Sequence, residues 1–317
     1  YKIGFKDLAP SMSGLPMTLL TLKHQKTQSL PASQIQFKKY SLKKPSALGY
    51  ICYPSKIKVT YQPSHSPPSN SAHISMFPIK DDNPQIHIPY VTYIIIALNA
   101  LAWFTLQGMG SHSTLEQSVC QYGLIPADLF STITFEAREW VCPANSGVGW
   151  TGLLSSMFMH GSWMHILGNM WFMWVFGGNV EDAMGPRRFA LFYLACGLCA
   201  ALAQVLADTN SLVPMVGASG AIGGVMGAYI MLYPRVKVHL LVFLFVFITT
   251  FRVPAVLMLA YWILVQLVGG FASLGATGGG VAFWAHIGGF VAGAVMVWGF
   301  KDDELLAQHP CYGWRKF

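Results

Sequence analysis

The chain has 317 residues, 53% of them hydrophobic and only 10% charged, where soluble domains carry roughly a quarter charged. Its mean hydropathy of +0.45 excludes an ordinary water-soluble domain and points to a protein that crosses a membrane several times. The net charge of +7 would raise nucleic acid or anionic lipid as partners, but residues 1–75 hold ten Lys, no Arg and one acid, Asp7, for +9, and the rest holds ten Lys plus Arg against twelve acids, for −2. The basic balance therefore belongs to the leading segment, and no nucleic-acid partner is expected.

Residues 1–75 show no apolar period and are rich in Ser, Pro and Lys. They read as a disordered leader or a non-native upstream extension, with the natural start at Met76, where MFPIKDDNP reads as a short polar lead into the membrane domain, residues 76–317. A helix crossing roughly 30 Å of hydrocarbon needs about 20 apolar residues. Six runs serve: Pro89–Gln107, Trp163–Val180, Phe189–Ala207, Gly217–Leu232, Pro254–Phe271 and Val281–Phe300. The expected fold is an all-α bundle of six transmembrane helices. A further apolar run, Val238–Thr250, is too short to span and is expected to lie at the interface as a re-entrant or surface-bound segment.

Loop charges give orientation. Arg187 and Arg188 follow the second helix, Arg235 and Lys237 the fourth and Lys301 the sixth, whereas the 108–150 loop sets Arg138 among Glu116, Asp128, Glu136 and Glu139. Loops after even-numbered helices are then cytoplasmic, and both termini lie inside. Cys120 and Cys142 share the outer loop, where an oxidising compartment would let them pair. Cys196 and Cys199 form a C-x-x-C inside an apolar helix without a second pair, which does not favour a redox or zinc site.

Polar groups inside spanning helices are expensive and need an account. The candidates are His160, His165 and Asn169 at the second helix, Ser219 in the fourth and His286 in the sixth. Even-numbered helices all start on the outer face, so His165, Ser219 and His286 share one depth, on the order of 10 Å below the surface. A lone intramembrane Ser commonly bonds its own i−4 carbonyl, and a lone His often serves packing. The joint layer instead suits nucleophilic catalysis, with Ser219 as nucleophile, His286 as base and Asn169 as a donor to an oxyanion. Between Ala183 and Phe300 the only acid is Asp208, so a Ser–His dyad is expected rather than a triad. Gly217 and Gly220 would free the backbone beside Ser219, and Gly289 and Gly293 would let the fourth and sixth helices approach closely. A three-His metal site is disfavoured, because no H-E-x-x-H is present and no carboxylate shares the layer.

These residues resemble the rhomboid family of intramembrane serine proteases. The second helix reads HGSWMHILGNMWFMWVFGGNVED, the fourth G-A-S-G, and the sixth A-H-x-x-G-x-x-x-G as Ala285, His286, Gly289 and Gly293. The resemblance covers roughly Met76 to Phe300 and implies a rhomboid-like six-helix core. It assigns Ser219 and His286 to catalysis, His160, His165 and Asn169 to the oxyanion surroundings, transmembrane-helix substrates as partners, and no cofactor or metal. It places the chain as a multi-pass protein of a bacterial inner membrane. Where some members carry an aromatic residue four positions after the serine, stacked on the base, this chain has Gly223, and it has R-E-W at Arg138 and Trp140 where some place a Trp-Arg pair. Two alternatives stand beside this reading. One is a non-proteolytic relative that binds transmembrane clients, against which the presence of both Ser219 and His286 argues. The other is a small transporter, against which the lack of a second copy of either motif argues.

Overall fold

Apolar runs become helices here, and each stops where charge, Gly or Pro makes continuation costly. The computed structural model describes residues 76–130, Cys142, 149–244, 247–274 and 280–312, together with two short strands near the start, β1 (Thr18–Leu19) and β2 (Lys38–Lys39), which pair antiparallel. The chain divides into two units, Tyr1–Ser69 and Asn70–Phe317. In the second, β3 (Met76–Asp81) leads to α1 (Tyr90–Thr105), then α2 (His112–Tyr122), α3 (Pro126–Leu129) and α4 (Gly152–Ser155). There follow α5 (Trp163–Met184), α6 (Pro186–Ala207) and α7 (Ser219–Leu232). A hairpin of β4 (Lys237–Leu244) and β5 (Phe247–Pro254) precedes α8 (Ala255–Ser273), α9 (Phe283–Phe300) and α10 (Asp303–Gln308).

Helices α6, α8 and α9, at 22, 19 and 18 residues, are long and apolar enough to cross a membrane. Helices α1 and α7 are apolar but shorter, at 16 and 14 residues, and α5 ends in a turn that carries Glu181 and Asp182. That acidic end explains why α5 runs past Val180. Glu181 accepts from the Val91 and Thr92 amides at 2.9 and 2.8 Å and from the Thr92 hydroxyl at 2.8 Å. Asp182 accepts from the Ile86 and His87 amides at 2.8 and 2.9 Å. Two buried carboxylates thus take up the unsatisfied N–H groups at the start of α1 and in the loop before it, which anchors α1 to α5. Gly185, at φ +73, then turns the chain into Pro186, the first residue of α6. A Pro fits there because that N–H has no helical partner.

The sheet corrects the expectation of an all-α chain. Val238–Thr250 forms most of the β4–β5 hairpin, and Met76–Asp81, read as a polar lead, pairs antiparallel with β4 to give the order β3-β4-β5. Strand alternation is the reason: Val238, Leu240 and Val242 all face the main core, which also holds Met258 and Leu259 of α8. On the other side of the sheet, Phe77 packs against Trp171 and Phe172 of α5, and the Trp171 indole donates to the Pro78 carbonyl at 2.6 Å. The sheet therefore bridges α5 and α8.

The segment between α1 and α5 is tied down at three places. Cys120 and Cys142 form a disulfide with Cα atoms 5.5 Å apart. Leu124 and Met215 exchange backbone hydrogen bonds of 2.9 and 2.7 Å. The Gln107 side chain clasps the backbone of one residue, donating to the His160 carbonyl at 2.7 Å and accepting from the His160 amide at 2.8 Å. Glu136, Glu139, Arg138 and Trp140 lie outside the described residues, as do 275–279. Cys196 and Cys199 are free thiols on α6.

At the far end of β3, the Tyr229 hydroxyl and Asn179 Nδ2 donate to the Asp81 carboxylate. Burial outweighs these bonds and pushes the Asp81 pKa up from 3.8 to about 6. A carboxyl whose pKa is raised by folding favours the folded state in its protonated form, so its contribution is full below about pH 4 and is lost as pH rises through about 6. In thermal unfolding, Asp81→Asn is expected to gain Tm relative to the parent across that interval. A Tm difference that does not change with pH would contradict the assignment.

Candidate active site

The site begins where α7 begins. Gly217 adopts φ +126, a conformation open to glycine, and its amide donates to the Ser156 carbonyl at 2.9 Å. A Cβ at Gly217 would stand 2.7 Å from His165 Nε2, so the imidazole lies directly against this turn. Ser219 is the first residue of α7, where the opening N–H groups have no helical acceptor and the dipole end is positive. At 14 residues α7 is about 21 Å long, short of the ~30 Å hydrocarbon core. Arg235 follows its other end.

His286 comes from α9, with Nε2 2.8 Å from Ser219 Oγ. Backbone contact sets this distance. A Cβ on Gly289 would run into the Gly220 carbonyl, and one on Gly293 into the Gly224 carbonyl. On α7, Gly227 meets the Phe290 carbonyl in the same way, and a Cβ at Gly223 would be 3.0 Å from the His286 carbonyl oxygen. The backbone of α9 thus occupies the space that an aromatic side chain at 223 would need. The other two small residues face elsewhere. Gly220 turns its Cα toward Ala200 of α6, with a built Cβ at 2.6 Å, and Gly217 faces His165 rather than the α7–α9 seam.

The remaining sites expected from sequence separate into two groups. His165 and Asn169 line a cavity of about 600 Å³ together with Ser219 and His286. Its walls continue through Phe172 of α5, Ile222 and Met226 of α7, and Trp262 of α8. Asn169 is buried, and its Nδ2 has no hydrogen-bond partner among the described residues. His160 is fully buried and absent from the cavity wall; its ring packs edge to face on that of His165, with centroids 5.1 Å apart. Among the described residues, no group of three or more His, Cys, Asp or Glu is placed to hold a metal ion.

Two glutamines escaped the sequence reading. Gln266 of α8 places Oε1 2.8 Å from His286 Nδ1, and Gln204 of α6 accepts from the Ala285 amide at 3.2 Å. Gln266 was detectable in principle as a lone amide within the apolar run Pro254–Phe271. Chemically, the arrangement offers a hydroxyl beside a ring nitrogen and, in the wall of the same largely apolar cavity, one buried amide donor without a partner, with no carboxylate among the described lining residues.

Residues 148–302 match the family model described as the rhomboid domain. The rhomboid protease GluP of Bacillus subtilis is 32% identical over 140 residues, covering 44% of this chain and 24% of that protein. Rhomboid protein 1, mitochondrial, of Saccharomyces cerevisiae is 28% identical over 150 residues, covering 46% of this chain and 40% of its own length. RHOMBOID-like protein 6, mitochondrial, of Arabidopsis thaliana is 28% identical over 188 residues, covering 57% and 51%. The chain thus spans between a quarter and a half of the length of these relatives.

Because a methyl group cannot enter the α7–α9 seam, Gly289→Ala is expected to part Ser219 from His286. Labelling of Ser219 by a fluorophosphonate should slow on the order of 10²-fold, the scale of losing one aligned catalytic group. Labelling at the parent rate would show that the seam does not set the Ser–His distance.

Proposed function

Since this chain is a rhomboid-family protein with its rhomboid domain at residues 148–302, we propose that it is an intramembrane serine endopeptidase acting through a Ser219–His286 dyad on transmembrane-helix substrates. The observation that carries the proposal is the 2.8 Å contact between His286 Nε2 and Ser219 Oγ at the wall of a cavity of about 600 Å³. That volume is in the range that binds a few residues of extended peptide rather than an intact helix. The substrate therefore unwinds locally as it enters sideways from the bilayer.

The reaction follows from these groups. Ser219 Oγ attacks the scissile carbonyl carbon as its proton passes to His286 Nε2, and the carbonyl oxygen takes the negative charge. Asn169 Nδ2 and His165, which share the cavity wall with Ser219, and the first amides of α7 are the donors assigned to that oxygen. His286 then gives its proton to the departing amine as the C–N bond breaks, leaving an acyl group on Ser219. Water, reaching the site through the cavity, is deprotonated by His286 and hydrolyses the ester. No cofactor is required at any step.

In this reading α1, α5, α6, α7, α8 and α9 are the six spans of residues 76–317. The loops after α5, α7 and α9 are cytoplasmic by their Arg and Lys content, as are both termini, in a bacterial inner membrane. Ser219 then faces the outer leaflet, and cleavage falls there.

Cleavage of a labelled single-span substrate in proteoliposomes tests the proposal. Ser219→Ala and His286→Ala are each expected to abolish it, and Asn169→Ala to lower kcat by about 10²–10³ with little change in KM. Cleavage that survives Ser219→Ala would overturn it.

A further inference from the structure

We propose that Gln266 is the positioning residue for the base, fixing His286 in the tautomer that can take a proton from Ser219. The inference rests on the Ser219–His286 reading and adds to it a third member from a different helix, α8. A neutral imidazole carries one N–H, and only the nitrogen without it can act as base. Nε2 faces Ser219 Oγ at 2.8 Å, so the productive form carries its hydrogen on Nδ1, and Nδ1 then needs an acceptor.

Gln266 Oε1 stands 2.8 Å from Nδ1. An amide can present either end, so its orientation has to be decided by its other contact. That contact is with the Trp262 carbonyl, one turn earlier in α8, which Gln266 Nε2 reaches at 3.3 Å. A carbonyl only accepts, so the NH₂ end must point to Trp262 and the oxygen must point to His286. The reversed amide would set two oxygens against each other and would turn an N–H toward Nδ1, which favours hydrogen on Nε2 and leaves His286 unable to accept from Ser219. The helix backbone of α8 therefore sets the proton position on a histidine of α9. Gln266 is 7% exposed, so its amide relies mainly on these two protein contacts.

Two further features give Gln266 this task. Among the described residues, no carboxylate hydrogen-bonds to His286, and the α9 backbone fills the space in which an aromatic at position 223 would have braced the ring. Instead Trp262, on the same face of α8 as Gln266, packs on the imidazole with centroids 5.8 Å apart and planes 38° apart. One turn of α8 thus supplies both the face contact and the edge contact. A neutral amide orients the ring without adding a negative charge within the bilayer, where an ionised carboxylate would be costly.

The test compares Gln266→Leu, which keeps volume and removes the acceptor, with Gln266→Glu, which keeps the acceptor on a stem of the same length. A protonated carboxyl can even copy both contacts, donating to the Trp262 carbonyl and accepting from Nδ1. Fluorophosphonate labelling, kcat, KM and Tm are measured for each in proteoliposomes. Gln266→Leu is expected to lower kcat and the labelling rate together on the order of 10²-fold, below the ~10⁴-fold reported by tautomer loss in a carboxylate triad. KM should stay within about twofold, the pattern of an interaction made in the transition state. Gln266→Glu should restore labelling to within about tenfold of the parent. If Gln266→Leu does not fold, Gln266→Met carries the same comparison. Parent-like labelling in a folded Leu or Met variant, or a Glu variant no faster than these at equal Tm, would overturn the role of Gln266. Ser219→Ala run alongside separates the two claims: labelling that persists there removes the Ser–His reading itself, whereas labelling lost there but unchanged without Gln266 removes only the inference about the amide.

Discussion

Backbone pressed on backbone between α7 and α9 is the contact from which the rest of the site follows. In lipid there is no hydrophobic force between helices, so close association depends on small residues that let main chains touch and their dispersion contacts add up. Gly223 and Gly227 of α7, the Gly220 and Gly224 carbonyls beside them, and Gly289 and Gly293 of α9 provide this surface. It sets the 2.8 Å separation of His286 and Ser219 and closes the space beside the imidazole. The ring must therefore be held from its open side, and that side belongs to α8.

Polar groups elsewhere obey the same economy. Glu181 and Asp182 lie buried, yet each spends its oxygens on amides of the chain entering α1, so the carboxylates and the orphan N–H groups satisfy one another. The sheet does the corresponding service for the segments outside the helices, pairing the backbone of β3, β4 and β5 where it meets the apolar core. In contrast, Asn169 Nδ2 is buried in the cavity wall with no partner among the described residues. A buried donor without a partner is a cost to folding, and in the proposed mechanism it is the group offered to the oxyanion.

Much of this was legible in the residues. The helices fall within a few positions of the apolar runs, because length and hydropathy carry that signal strongly, and the G-A-S-G and A-H-x-x-G-x-x-x-G segments identified the seam. The hairpin was not legible. A short apolar run such as Val238–Thr250 has no period that separates a strand from an interfacial helix, and its partner, Met76–Asp81, contains a Pro and two charges that disguise a strand. The placement of His160 was also hidden, since helix position alone does not tell a cavity-facing ring from one packed behind it. Gln266 was overlooked for a physical reason: a lone glutamine in a helix can satisfy itself on the i−4 carbonyl, as its Nε2 does on Trp262, and only the third dimension shows where the other end points.

The proposed dyad requires that His286 activate Ser219 as a nucleophile. Peptide mass spectrometry on lipid-reconstituted protein reacted with a fluorophosphonate locates the modified atom directly. A single adduct on Ser219 is expected, and it does not form in His286→Ala. An adduct on another residue, or one on Ser219 that forms at an undiminished rate without His286, would contradict it.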